Sequence, residues 1–401
     1  MNILDWDGFL GMPLLKFDEQ YIVSLASKLV SINSENPPGR EAEIASFVAE
    51  RLSDLGFKAR VDRFDRRANS LGFLKFSEDR PRMMLLGHLD TVPAGDREAW
   101  SFPPFGGEVH EGRLYGRGAA DAKGSIASML GGLKALVDSG VELSGEIIFA
   151  AVADEELESR GVRRLLASGL KAEYAIVGEP TSLQVCITHK GRLVLSISFM
   201  GKSAHASTPH LGINPIQVAA NFIESLDNFS RKLSEKRHRL LGSPTISPTI
   251  IRGGVKDNVI PDSLELVVDY RVLPQEDLKS IVSELDKLSK KSARRYGSDS
   301  KLRIIRWIPP AEVDEKSPIV LAAVKAVEDV LKIEGEVRGF RATCDMGYLV
   351  NNAGIQSIIL GPGSLEQAHT IDEWVSVEEL VSAAKIYAFI ILNLLRSSER
   401  S

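Results

Sequence analysis

The sequence predicts an α/β protein: a mostly parallel sheet carrying an inserted β-α-β-β-α-β domain of the ferredoxin-like type. Three observations predict it. Helical and extended patterns alternate through the first half and resume near the end. The middle third has its own split βαβ order, and Pro309-Pro310 punctuates a return to the first domain.

Apolar positions at helical spacing predict helices over 17–31 and 40–55, the second stopped at Gly56. Extended segments follow near 57–64, 70–76 and 83–88. A helix from Gly124 to Val137 leads into the apolar run Ile147 to Val152, and a further strand sits at Tyr174 to Val177. Alternating strands and helices of this kind build parallel sheets covered on both faces. In the middle, residues 192–200 alternate as a strand. A helix over about 214–233, strands near 245–252 and 264–272, a helix over 275–293 and a strand at 301–307 complete the inserted unit. A helix near 318–331, a strand at 355–360 and a helix from about 376 to 396 close the chain. The expected division is therefore 1–189 with 308–401 as one domain and 190–307 as the other.

At 401 residues, with 44% hydrophobic and 26% charged content, the chain has the composition of a soluble globular protein. Its formal charge of −5, without a long basic run, gives no electrostatic footprint for nucleic acid. No apolar run approaches the ~20 residues of a membrane span. Asp5 and Asp7 interrupt the N-terminal apolar stretch and no basic segment precedes it, which reads against a signal peptide. Cys186 and Cys344 imply no disulfide framework, and a cytoplasmic, reducing location is expected.

Chemistry gathers in five segments. His88 and Asp90 stand two apart in Leu85-Leu86-Gly87-His88-Leu89-Asp90-Thr91-Val92-Pro93, so they can project together from one strand end. A carboxylate so placed can hold the imidazole ready for a metal. Asp121 lies in Gly116-Arg117-Gly118-Ala119-Ala120-Asp121-Ala122-Lys123-Gly124; alone it reads equally well as a helix N-cap. Glu155 and Glu156 follow the strand 147–152 at its C-terminal end, where open α/β sheets bind ligands. Adjacent carboxylates there repel unless a cation neutralises one; one can ligate while the other takes a proton from water. With Asp154 and Glu158 nearby, a solvated acidic loop is the competing reading. Glu179 and His369 also lie just past predicted strands. Together His88, Asp121, Glu156, Glu179 and His369 form a mixed N/O set suited to two divalent ions sharing a carboxylate. No Gly-X-Ser-X-Gly elbow competes.

These segments, with Asp154-Glu155-Glu156, Gly178-Glu179-Pro180-Thr181 and Ala368-His369 in order, resemble the M20 metallopeptidase/amidohydrolase family. The nearest likeness is its ArgE/DapE branch of acetylornithine deacetylases and succinyl-diaminopimelate desuccinylases. The resemblance runs from about residue 20 to residue 395 and implies a zinc-exopeptidase-like sheet domain with a lid and dimerisation domain. It implies Asp121 as the carboxylate bridging two zinc ions, with a cis peptide before Ala122 and cobalt as a possible substitute. His88 and Glu179 would hold one ion, Glu156 and His369 the other. Asp90 would orient His88, and Glu155 would be the general base and acid. His205 would reach across a homodimer to polarise the scissile carbonyl, while Asn258 and Arg271 would contact a substrate carboxylate.

The implied reaction removes an acetyl or succinyl group from an N-acyl amino acid such as N-acetylornithine or N-succinyl-diaminopimelate. Glu179 rather than Asp at its position also resembles the carboxypeptidase side, so a metallo-carboxypeptidase or dipeptidase is the alternative. A non-catalytic binding homologue would lack a ligand or the base, and none is missing. His110, His189, His210 and His238 read as surface or local structural residues, and Cys344 as a packing residue.

Overall fold

A computed structural model describes residues 15–77 and 81–396; the stretch carrying Asp5 and Asp7 lies outside them. The chain divides into two compact units. The first takes in the described residues up to Ile187, Val313–Phe340 and those from Cys344 onward; the second is Thr188–Glu312 with Arg341–Thr343.

The sheet of the first unit runs in the order Lys58–Phe64, Arg67–Lys75, Glu146–Val152, Arg82–His88, Tyr174–Val177, Gln356–Ile359, Val185–His189. Its centre is parallel: Arg82–His88 pairs with Glu146–Val152 on one side and with Tyr174–Val177 on the other, which pairs in turn with Gln356–Ile359. The outer pairings are antiparallel. The sheet is therefore mixed, and parallel where the candidate site residues lie. Met83–Leu86 and Ile147–Val152 are buried throughout, which explains their unbroken apolar runs. His88 pairs in register with Val152 and Leu86 with Val177, so three adjacent parallel strands end within two residues of one another.

The helix Gly124–Ser139 packs against the C-terminal helix Val377–Leu395. Gly132 permits that close approach, and Gly131 the approach of the helix Glu19–Ser31. A Cβ on Gly131 would overlap Ile22, and one on Gly132 would lie 2.6 Å from the Ala384 carbonyl oxygen.

The second unit has the strands Gly191–Met200, Thr245–Gly253, Ser263–Val272 and Ser300–Ile308 and the helices Pro215–Leu233 and Leu278–Arg295. Its antiparallel order is Thr245–Gly253, Ser263–Val272, Gly191–Met200, Ser300–Ile308, the ferredoxin-like arrangement. Leu193, Leu195, Ile197 and Phe199 alternate into a core with Phe222, Leu226 and Tyr270. Phe199 and Phe222 meet with ring centroids 5.5 Å apart.

The helices Arg160–Ala167 and Met346–Ala353 have no counterpart in the sequence reading. Each has eight residues, too few for a periodic pattern to stand out. The short strands Glu108–His110, Arg113–Tyr115 and Trp374–Ser376, which form a separate sheet, were equally silent. Among the described residues no helix is long and apolar enough to cross a membrane.

Replacing Gly132 with Ala tests the helix contact. Intrinsic propensity favours Ala by about 1 kcal/mol, whereas overpacking costs about 1–3 kcal/mol. The expected outcome is a lower Tm by calorimetry; a higher one would contradict the packing.

Candidate metal centre

The ends of the parallel strands and the loops beside them bring the sequence-predicted ligands together. His88 closes its strand, fully buried. Its Nδ1 lies 2.9 Å from the main-chain carbonyl of Asp90. A carbonyl only accepts, so Nδ1 carries a proton, and loss of the second proton would leave the lone pair of Nε2 facing the site. Nε2 is 2.9 Å from Asp121 Oδ1 and 3.9 Å from Glu179 Oε2.

Asp121 follows the left-handed Gly118 and precedes a cis peptide to Ala122. It does not cap the helix Gly124–Ser139, whose N-cap position is Lys123. Its second oxygen, Oδ2, lies 3.3 Å from His369 Nε2, which is itself 3.0 Å from Glu156 Oε1. Among the described residues two groups thus have ligand atoms within 4.8 Å of one another: His88, Asp121 and Glu179, and Asp121, Glu156 and His369. Asp121 belongs to both.

Asp90 does something different from what the tripeptide suggested. Its carboxylate stands 3.8 Å from His88 Nδ1, and the imidazole is held instead by its main-chain carbonyl. The carboxylate accepts from the main-chain N–H groups of Glu155 (3.0 Å) and Glu156 (3.2 Å) and from Asn36 Nδ2 (2.8 Å). It therefore fixes the turn that presents the two glutamates. Behind it, Asn36 Nδ2 also donates to Asp154 Oδ1 at 2.9 Å. Arg67 reaches Asn36 Oδ1 (2.9 Å), Asp154 (2.8 Å) and Glu41 (2.5 Å). This buried guanidinium offsets two carboxylates that would otherwise add to the negative charge of the site. Asn36, Arg67 and Glu41 carried no signal in the sequence, because their partners lie far along the chain.

The electrostatics are those of a site short of positive charge. Burial, followed by the charge of Glu179, pushes the Glu155 carboxyl well above the usual range. Burial does the same to Glu179 and raises Glu156. Burial opposes charging of His88, but the hydrogen bond to Asp121 and the nearby carboxylates prevail and raise it well above its ordinary value. Hydrogen bonds to Asp121 and then Glu156 lift His369 to about 10. Asp121 is depressed: burial works to raise it, and the hydrogen bonds from the two imidazoles outweigh burial. Protons here do the neutralising that divalent cations would do better, and the N/O donor set fits such ions.

Three predicted site residues belong to the second unit. His205 and Asn258 come together: Ala204–His205 pairs with Val259–Ile260, and the Ala206 N–H donates to the Asn258 carbonyl at 3.0 Å. Both side chains are exposed, and Ser207 Oγ lies 2.7 Å from His205 Nδ1. Arg271, half-buried on the strand Ser263–Val272, is held by Asp269 at 2.8 Å. Cys344 is buried and its thiol is pushed far up by burial, in keeping with packing.

The fold and the site define a metal-binding hydrolase. Residues 84–393 match peptidase family M20/M25/M40, and the chain belongs to that family. It is 32% identical over 392 residues to a succinyl-diaminopimelate desuccinylase of Pseudoalteromonas atlantica, covering 93% of this chain and 99% of that protein. An acetylornithine deacetylase of Edwardsiella ictaluri is 30% identical over 380 residues, covering 93% and 96%. The aminopeptidase PepT structure from Bacillus cereus shares the fold, with a TM-score of 0.78 over 94% of this chain and 99% of that one, at 21% identity.

Metal binding is expected to release protons. Ligands must be deprotonated to bind, and His369 holds its proton up to about 10 in the metal-free protein. Affinity should therefore rise with pH. At about pH 8 the calorimetric binding enthalpy should vary with buffer ionisation enthalpy, reporting at least one proton released. Independence from the buffer would contradict the protonated ligand set.

Proposed function

We propose that the chain is a cytoplasmic di-zinc amidohydrolase that removes an acetyl or succinyl group from an N-acyl amino acid. The observation that carries this reading is the pair of ligand groups sharing Asp121, with the Glu155 carboxyl beside them. The named activities of the two curated relatives support the acyl classes. His88 and Glu179 would hold one ion, Glu156 and His369 the other, and Asp121 both. Zinc suits the mixed donors and cobalt could replace it. Bound there, the ions supply a polarised carbonyl and a water whose pKa falls to about 7.

The chain's own residues do the rest. Glu155, held by the Asp90 carboxylate through its N–H, takes the proton of the attacking water and returns it to the leaving amine. His205 stabilises the charge that develops on the carbonyl oxygen. Asn258 and Arg271 hold the substrate carboxylate, the guanidinium through its planar fork.

Residues 1–189 and 308–401 form the catalytic domain in this reading, and 190–307 a lid and dimerisation domain. A homodimer is supported by the edge strand Thr245–Gly253, which leaves Ile250 and Ile251 exposed on an unpaired edge. The free, buried Cys186 and Cys344 are consistent with a reducing compartment.

A kinetic panel of N-acetyl and N-succinyl amino acids, with Zn²⁺ or Co²⁺, tests the substrate class. Turnover of N-acetylornithine or N-succinyl-diaminopimelate is expected. Failure of both, with cleavage of C-terminal dipeptides, would assign a carboxypeptidase instead. Glu155→Gln should lower kcat by about 10²–10⁴-fold, and unchanged turnover would remove its role as base. Light scattering should give a dimer; a fully active monomer would exclude action of His205 across subunits.

A further inference from the structure

The two ligand groups differ in how they are supported. His88 ends a central strand, and Glu179 follows another by two residues. His369 sits on a loop, its side chain 49% exposed and its backbone left-handed at φ 65°. A ligand so placed keeps its distance to Asp121 only if its loop is tied to the loop of Asp121.

Glu373, four residues beyond His369 and fully buried, makes that tie. Its Oε1 accepts from the main-chain N–H groups of Ala120 (3.0 Å) and Asp121 (3.1 Å). Its Oε2 pairs with Arg117 Nη1 at 2.6 Å, and its own carbonyl accepts from the Gly116 N–H at 2.8 Å. Arg117 is buried too, its guanidinium 5.1 Å from the Trp100 ring centroid. The pairing keeps Glu373 an acceptor and offsets its charge, which would otherwise repel Asp121.

We propose that Glu373, with Arg117 as its counter-charge, is a positioning residue that sets His369 against Asp121 and so governs binding of the ion held by Asp121, Glu156 and His369. The inference rests on the two-ion reading above. Neither residue touches the reacting atoms; each acts through the main chain of a ligand loop. The group of His88, Asp121 and Glu179 depends on the tie less, since His88 ends a strand, Glu179 follows one by two residues, and His88 independently holds Asp121.

The test is calorimetric titration of the metal-free chain with Zn²⁺, with circular dichroism and melting in the metal-free state as the check on folding. The parent should take two equivalents. Glu373→Ala should keep the tighter one and weaken the other by about 10–100-fold, with kcat recovering at high Zn²⁺. Glu373→Gln retains an acceptor oxygen for both N–H groups but turns its amide nitrogen to Arg117, so it is combined with Arg117→Met; Arg117→Met/Glu373→Gln should take both equivalents near parental affinity. Because Glu373→Ala strands a buried Arg117, the double variant Arg117→Met/Glu373→Ala provides the same test without that charge. A folded Glu373→Ala or double variant that binds both equivalents at parental affinity, or weakens both equally, would overturn the proposal. A parent that takes fewer than two equivalents would overturn the two-ion reading, and this inference with it.

Discussion

Everything at this site turns on one carboxylate placed between two imidazoles. Asp121 Oδ1 lies 2.9 Å from His88 and Oδ2 lies 3.3 Å from His369. Burial works to raise its pKa, and the hydrogen bonds from both rings overcome that effect. Around it stand Glu155, Glu156 and Glu179, all raised by burial. Such a collection of acids is tolerable only when positive charge is supplied from within it. The rest of the architecture holds the negative groups close enough for that charge to be shared. The parallel centre of the sheet does the coarse work by ending three neighbouring strands together.

The fine work falls to two further carboxylates used as main-chain acceptors. Asp90 takes the N–H groups of Glu155 and Glu156, and Glu373 takes those of Ala120 and Asp121. Each is backed by a buried guanidinium: Arg117 directly on Glu373, and Arg67 on Asp90 through Asn36. Loops that carry ligands are the weakest part of a rigid scaffold. Hydrogen bonds to ionised acceptors, stronger than neutral ones, hold them without adding another side chain to the cavity. His88 is treated the same way: the Asp90 carbonyl fixes its tautomer and leaves the carboxylate free for the glutamate turn.

The candidate ligands were legible in the sequence because each follows an apolar run or precedes a helix, and such positions cluster at one end of a parallel sheet. His88, Asp121, Glu156, Glu179 and His369 meet for that reason. The inserted unit was legible too, since its four long strands and two helices each span nine residues or more. What remained hidden depends on distance along the chain. Glu373 acts on residues 252 and 253 positions away, and the Asn36 link to Asp154 spans 118. No local pattern marks such partners. Asp90 does hold His88, as the spacing suggests, but through its carbonyl and not its carboxylate, because two-residue spacing shows that side chains share a face and does not reveal that a nearby carbonyl reaches the ring first. The antiparallel flanks escaped for a similar reason: Lys58–Phe64 and Arg67–Lys75 read as strands, but strand direction depends on pairing.

The most direct measurement is anomalous X-ray diffraction at the zinc absorption edge from crystals of the zinc-loaded protein. The account predicts two peaks, one bounded by His88 and Glu179, the other by Glu156 and His369, with Asp121 contributing one oxygen to each. A single peak, or zinc bound away from Asp121, would contradict it.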